Sequence, residues 1–185
     1  MLLSEGLVQS AYHHAKNGRV YTAYGLVNAP VAFSTATGMG GPLLWNGSAI
    51  NKTGPSVNAV LLSIGFGISV VSTVAGSLGI TLGTGQAAAP TATTAIDTLI
   101  NNFAGGPPPQ CSLFRKGTVT NVGLGFSPIF LIGTGPLTVA DSALMWQPLH
   151  GLYIVPPGCY ASVAANVVLS TLQATIAIQW AEIPI

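Results

Sequence analysis

Val60-Leu61-Leu62-Ser63-Ile64-Gly65-Phe66-Gly67-Ile68-Ser69-Val70 decides how this chain is read. Large apolar side chains fall at every even position, Val60, Leu62, Ile64, Phe66, Ile68 and Val70, while Ser63, Gly65, Gly67 and Ser69 stand between them. A repeat of two is the period of a strand, whose successive side chains point to opposite faces. The choice matters because no charged residue lies between Lys52 and Asp97 and the mean hydropathy is +0.60, so the region is long and apolar enough for a membrane-spanning helix. Each glycine inside a helix costs about 1 kcal/mol, and a lipid-facing helix needs bulk on every side. The strand reading wins, and no membrane partner is expected.

Working outward, the closing stretch repeats the pattern. Leu172, Ala174, Ile176, Ile178 and Trp180 share one face, and Gln173, Thr175, Ala177 and Gln179 the other. Residues 19–26 alternate as Val20, Thr22 and Tyr24 against Tyr21 and Ala23, and 30–34 continue extended. Leu43-Leu44-Trp45 ends at the turn dipeptide Asn46-Gly47. Leu78, Ile80 and Leu82 mark a strand within 74–84, and 113–121, 128–132, 152–155 and 159–165 read the same way, with Pro156-Pro157-Gly158 as a turn. Residues 86–110, rich in Ala, Thr and Pro, read as a surface excursion with one helical turn near 94–101. Residues 3–16 fit a short amphipathic helix capped by Ser4, or equally an extended arm.

At 185 residues the chain suits one domain, and no repeat of 20–50 residues is visible. The expected fold is all-β, a jelly-roll-like antiparallel β-sandwich of about eight strands over 19–185, preceded by a short N-terminal helix or extended arm over 1–18.

Charge is scarce. Five Lys or Arg and four Asp or Glu make up 5% of the chain, where about a quarter is usual, and the formal net charge is +1. Such a chain has no basic face for a phosphate backbone, so no nucleic-acid partner is expected. It is also poor in the ionisable groups that catalysis draws on, and the expectation is a non-enzymatic protein with no catalytic residue, cofactor or metal. His13 and His14 are adjacent and would diverge on a helix, with no Cys or carboxylate at ligand spacing. His150 follows Asp141 and Ser142, but no nucleophile turn accompanies them. Gly38, Gly40 and Gly41 neither follow a strand into a helix nor precede a Lys-Ser or Lys-Thr pair, so they read as turn glycines. Met1-Leu2-Leu3-Ser4-Glu5 carries no basic n-region, so no secretory signal is expected. Cys111 and Cys159 are then favoured as free thiols over a bridge, and the acceptor patterns at Asn46 and Asn51 stay idle. Of the tryptophans, Trp45 and Trp180 are assigned to buried faces. Trp146, in Leu144-Met145-Trp146-Gln147-Pro148, is the exposed one and a candidate glycan contact.

Two stretches carry a resemblance. One is Ala29-Pro30-Val31-Ala32-Phe33-Ser34-Thr35-Ala36-Thr37-Gly38, leading through Gly41-Pro42-Leu43-Leu44-Trp45-Asn46-Gly47. The other runs from Val155-Pro156-Pro157-Gly158 to the ending Ile178-Gln179-Trp180-Ala181-Glu182-Ile183-Pro184-Ile185. The chain resembles small structural proteins of tailed bacteriophages. That resemblance implies a jelly-roll virion component assembled in the host cytoplasm: a capsid cement or decoration protein, with a head- or tail-fibre base, an adaptor or a carbohydrate-binding spike module as the alternative. The implied partners are the chain itself, as a trimer, and a major capsid or other virion protein. No catalytic or binding residue transfers with it. The composition points the same way, since a surface of Ser, Thr, Asn, Gly and small apolar residues suits a subunit buried among neighbours. The amino-terminal segment holds Glu5, His13, His14 and Lys16 beside Leu3, Leu7, Tyr12 and Arg19, and it is expected either to dock on a neighbour as an assembly arm or to pack as a helix on its own domain.

Overall fold

The structure, a computed structural model, describes residues 13–24, 43–48, 55–70, 74–83, 91–95, 98–118, 126–132, 145–167, 169 and 172–185. Residues 13–16 are helical. The strands are β1 (Val20–Tyr24), β2 (Leu43–Trp45), β3 (Val57–Val70), β4 (Gly76–Gly83), β5 (Thr91–Ala95), β6 (Thr98–Asn101), β7 (Ser112–Thr118), β8 (Phe126–Ile132), β9 (Met145–Val155), β10 (Tyr160–Ala165) and β11 (Gln173–Pro184). They form a five-stranded sheet in the order β6-β1-β11-β3-β9 and a six-stranded sheet in the order β5-β7-β2-β10-β4-β8.

Four antiparallel pairs are nested in this order: β1 with β11, β2 with β10, β3 with β9, and β4 with β8. First strand pairs with last and so on inward, which is one long hairpin rolled on itself, the jelly roll. The all-β sandwich expected from the pattern is present, and its eight core strands are these four pairs. The three further strands come from the connection between β4 and β8, at the tip of the hairpin. Here β6 pairs with β1, and β7 pairs with β2 and β5. The helical turn expected near 94–101 is therefore replaced by strand. Thr91-Ala92-Thr93-Thr94-Ala95 is rich in β-branched residues, and the open sides of β1 and β2 supply the partners such a segment needs.

The spine of the sandwich is β11 against β3. The alternation in β11 holds throughout, with Ala174, Ile176, Ile178 and Trp180 all buried in the core. In β3 the expected single face breaks. Leu62 and Ser69 are skipped in the pairing with β11, so each is a bulge and 14 residues face 12. Val57, Ala59 and Leu61 enter the core before the first bulge, and Ile64 and Phe66 after it. Val60 and Leu62 are only half-buried. One extra residue reverses the sides, because the side-chain period is two.

The six-stranded sheet is buried on both faces at its centre. Leu44, Ala161, Val163, Ile80 and Leu78 face the sandwich interior, while Leu43, Trp45, Tyr160 and Ala164 form a second buried cluster on the outer side. A sheet covered twice has no reason to alternate, which is why Leu43-Leu44-Trp45 reads as a continuous apolar run. Trp45 is buried as expected, but in this outer cluster.

A single carboxamide closes one end. Asn46 is fully buried; its Nδ2 donates to the carbonyls of Val57 and Val155, both at 2.7 Å, and its Oδ1 accepts from Ser48 N–H at 3.2 Å. Its own carbonyl accepts from Gly158 N–H at 2.7 Å, and its N–H donates to Cys159 O at 2.9 Å. Gly158 sits at φ 77, a left-handed conformation that glycine adopts without a Cβ penalty. Asn46-Gly47 and Pro156-Pro157-Gly158, far apart in the chain, are thus two halves of one junction between β2, β3, β9 and β10.

Two outcomes test this architecture. Trp180→Ala is expected to cost about 3–5 kcal/mol, and Gln179→Ala, on the opposite face, about 1 kcal/mol or less, read from urea midpoints. Equal losses would contradict the β11 register. Asn46→Ala leaves two buried carbonyls without their donor and is expected to cost about 1–3 kcal/mol for each.

Candidate functional site

The rim formed by β8 and β9 is the candidate site. At the opposite rim the β4–β8 connection covers β1 and β2 with strands of its own. At this one no further strand is added among the described residues: β9 ends the five-stranded sheet and β8 the six-stranded sheet. A hydrogen bond of 2.7 Å between Ser127 Oγ and Tyr153 OH ties the two edge strands together across the sandwich.

Local pairing decides which side chains point out. Tyr153 pairs with Leu61 and Pro148 with Ser63, so β9 places four residues opposite Leu62 alone. His150 (φ 52) and Gly151 (φ 74) make this bulge. On either side of it the inward positions are Leu149, Tyr153 and Val155, which leaves Trp146, Pro148, Leu152 and Ile154 on the outer face. The expected strand at 152–155 is therefore longer than anticipated, beginning at Met145 and including Trp146.

Among the described residues the rim exposes large apolar side chains. Leu131 on β8 is 89% exposed and Leu152 on β9 is 81% exposed, with Ile154, Trp146 and Met145 also exposed. Trp146 stands directly opposite Gly65, and a Cβ on Gly65 would overlap its ring, so the indole lies on glycine backbone. Neither β8 nor β9 contains Lys, Arg, Asp or Glu. The basic residues of the described elements, Lys16, Arg19, Arg115 and Lys116, fall beside β1 and on β7, at the other rim.

The remaining expected site residues are scattered. Leu3, Leu7 and Tyr12 lie outside the described residues, as do Asp141 and Ser142. Arg19 is exposed, and its carbonyl accepts from Glu182 N–H at 2.8 Å, which pins the start of β1 to β11. Gly18, before it, accepts from Asn101 Nδ2 at 3.1 Å. His14 is half-buried, and its pKa is lowered by burial and then by Arg19 and His13, so the ring favours the neutral form. Among the described residues no group of three or more His, Cys, Asp or Glu is arranged to hold a metal.

Sequence reading missed the polar centre beside β1. Glu182 is buried; its Oε2 accepts from Gln110 N–H at 2.9 Å, and its Oε1 accepts from Cys111 N–H at 2.9 Å and from Trp180 Nε1 at 3.3 Å. These bonds clamp the start of β7 to the last strand. Cys111 and Cys159 are both free thiols. Burial, then the Glu182 charge and a hydrogen bond to it, push the Cys111 thiol up, so it is a packed neutral group and not a nucleophile. Tyr21, stacked on Trp180 with centroids 5.7 Å apart, is pushed up to about 12, first by burial and then by Glu182 and Cys111.

Comparison with known proteins returns no match: no family model, no curated protein and no solved structure.

Tyr21 and Cys111 give a pH signature. Both are acids whose pKa is raised on folding, so the folded state holds its protons longer than the unfolded chain. Stability is full below their unfolded values, near 9 for the thiol and 10 for the phenol, and declines as pH rises through and above them. Urea midpoints measured from pH 8 to about 11 should fall, and Tyr21→Phe should flatten the fall.

Proposed function

We propose that this chain is a non-enzymatic structural component of a bacteriophage virion, a decoration protein that stabilises the shell as a homotrimer bound to the major capsid protein. The observation that carries the reading is the bare apolar rim on a jelly roll with so few charges. A free monomer normally guards its edge strands with charge and keeps apolar patches small. Here the strands of the β4–β8 connection cover one rim, while at the other Leu131, Leu152 and Ile154 are exposed. The likeness of Leu43-Leu44-Trp45-Asn46-Gly47 and of the Pro156-Pro157-Gly158 turn to phage structural proteins supports the virion setting. The junction at Asn46 gives those motifs a role in folding, consistent with a resemblance that transfers no catalytic residue.

One observation favours a second reading. The Trp146 indole rests on Gly65 and is 46% exposed, which makes a flat platform of the kind on which a sugar ring stacks, as a carbohydrate-binding spike module would use.

Reconstruction of particles that contain the protein tests both. Density at symmetry-related shell sites in groups of three is expected. Few copies at a tail or fibre would move the assignment to a fibre base, and absence from the particle would overturn it. Specific binding on a glycan array, lost in Trp146→Ala, would establish the second reading in its place.

A further inference from the structure

The Asn46 junction carries a chemical liability besides its structural role. Asparagine is thermolabile, and most so before glycine, where the absence of a side chain lets the next backbone nitrogen reach the carboxamide carbon. In that reaction the nitrogen of Gly47 bonds to Asn46 Cγ, the Nδ2 group leaves as ammonia with the proton that the nitrogen gives up, and a succinimide ring closes. Water then opens the ring at either carbonyl and leaves aspartate or isoaspartate, so an amide is exchanged for an acid with no oxidant or reductant. The chain holds this dipeptide twice, at Asn17-Gly18 and at Asn46-Gly47. The two sites differ in setting. Asn17 is exposed, whereas Asn46 and Gly47 are both buried. The fold also requires both residues of the second pair: a Cβ on Gly47 would overlap the Trp45 ring, and only a carboxamide supplies two hydrogens and an acceptor from one small group.

We propose that Asn46 is a deamidation site open only to the unfolded chain, and that its conversion makes unfolding permanent. Folding blocks the reaction. The Nδ2 group is held by the carbonyls of Val57 and Val155, both at 2.7 Å, and Oδ1 by Ser48 N–H at 3.2 Å, so the carboxamide cannot turn toward Gly47 without breaking all three bonds. The product, once made, no longer fits. An ionised carboxylate has no hydrogen to donate, and its second oxygen would face two carbonyl oxygens at the place where Nδ2 supplied both donors. A buried charge set against two carbonyl dipoles is costly, and the carbonyls are left unsatisfied as well. Isoaspartate adds a further defect, because it routes the main chain through the side-chain carbon. The backbone bonds of Asn46 to Cys159 O and from Gly158 N–H then lose their register, and with them the hold on the Pro156-Pro157-Gly158 turn.

The test incubates the full-length chain at neutral pH in buffer and in urea and follows both Asn-Gly sites by peptide mass spectrometry. In urea Asn17 and Asn46 are expected to convert at comparable rates. In buffer the conversion of Asn46 is expected to slow by roughly a thousandfold or more, the factor by which folding depletes the open state. Conversion of Asn46 in buffer at its urea rate overturns the protection. Samples from urea are then diluted to refold, and the folded fraction is recovered by gel filtration. Its yield should fall in step with Asn46 conversion, and the recovered protein should carry intact Asn46 together with converted Asn17. Converted Asn46 in the refolded protein overturns the lock-out. Two variants check the cause without incubation: Asn17→Asp is expected to keep the wild-type urea midpoint, and Asn46→Asp to lose the cooperative transition or shift it far down. A wild-type midpoint in Asn46→Asp overturns the proposal as well.

Discussion

The pairing of β11 with β3 is the constraint on which the rest depends. It joins the last strand of the chain to the third, and every other strand of the five-stranded sheet is placed by reference to it: β1 on one side of β11, then β6, and β9 on the far side of β3. The two strands differ in length, and the bulges at Leu62 and Ser69 absorb the difference on β3. Bulging bends a strand and sharpens its twist, so β3 curves around the core while β11 keeps an unbroken alternation. The bulge at Leu62 has a counterpart on β9, where four residues stand opposite it. The outward row that includes Leu152 and Ile154 is in this sense a consequence of how the central pair is reconciled.

Polar groups matter out of proportion to their number. With so little charge available, buried polar side chains such as Asn46 and Glu182 do the joining that ion pairs do elsewhere. The Asn46 carboxamide, with both ends bonded, ties the start of β3 to the end of β9, and the Asn46 backbone holds the β9–β10 turn. The Glu182 carboxylate accepts two backbone N–H groups and an indole N–H, and it holds the insertion against the terminal strand. In a low-dielectric interior a satisfied polar group rigidifies its neighbours, and an unsatisfied one is costly, so each junction has few alternatives. Tyr21 and Cys111 lie in the field of Glu182, and both are held neutral there.

How far the fold was legible follows from where each strand sits. β11 is core on one face and partly covered on the other, so Leu172 to Trp180 announce it by period alone. β3 does not reveal its bulges, because Val60 and Leu62 are as apolar as the residues that enter the core and a bulge leaves no compositional trace. β2 hides its alternation because both its faces are buried. β5 and β6 read as a helical turn because short strands added at an edge are specified by the open backbone beside them, a tertiary fact. The rim is barely legible: Trp146 reads as exposed, but Leu131, Leu152 and Ile154 look like core residues until the topology places β8 and β9 at the end of each sheet.

Seen through the topology, the scarcity of charge is a question of edges. A jelly roll of eight strands has two open rims, one beside β1 and β2 and one beside β8 and β9. Closing a rim requires added strands, guarding residues or a partner. The chain uses its longest connection for the first rim and extends both sheets there. At the second, prolines and a bulge deny backbone pairing, but β8 and β9 themselves carry no Lys, Arg, Asp or Glu, and charge is the device that would also keep apolar side chains apart from other molecules. Guarding the backbone alone blocks strand addition and leaves the side chains open to contact. Under the proposed virion role that combination suits a closed assembly, since strand addition at an unguarded edge has no built-in stop whereas side-chain packing ends when the patch is covered.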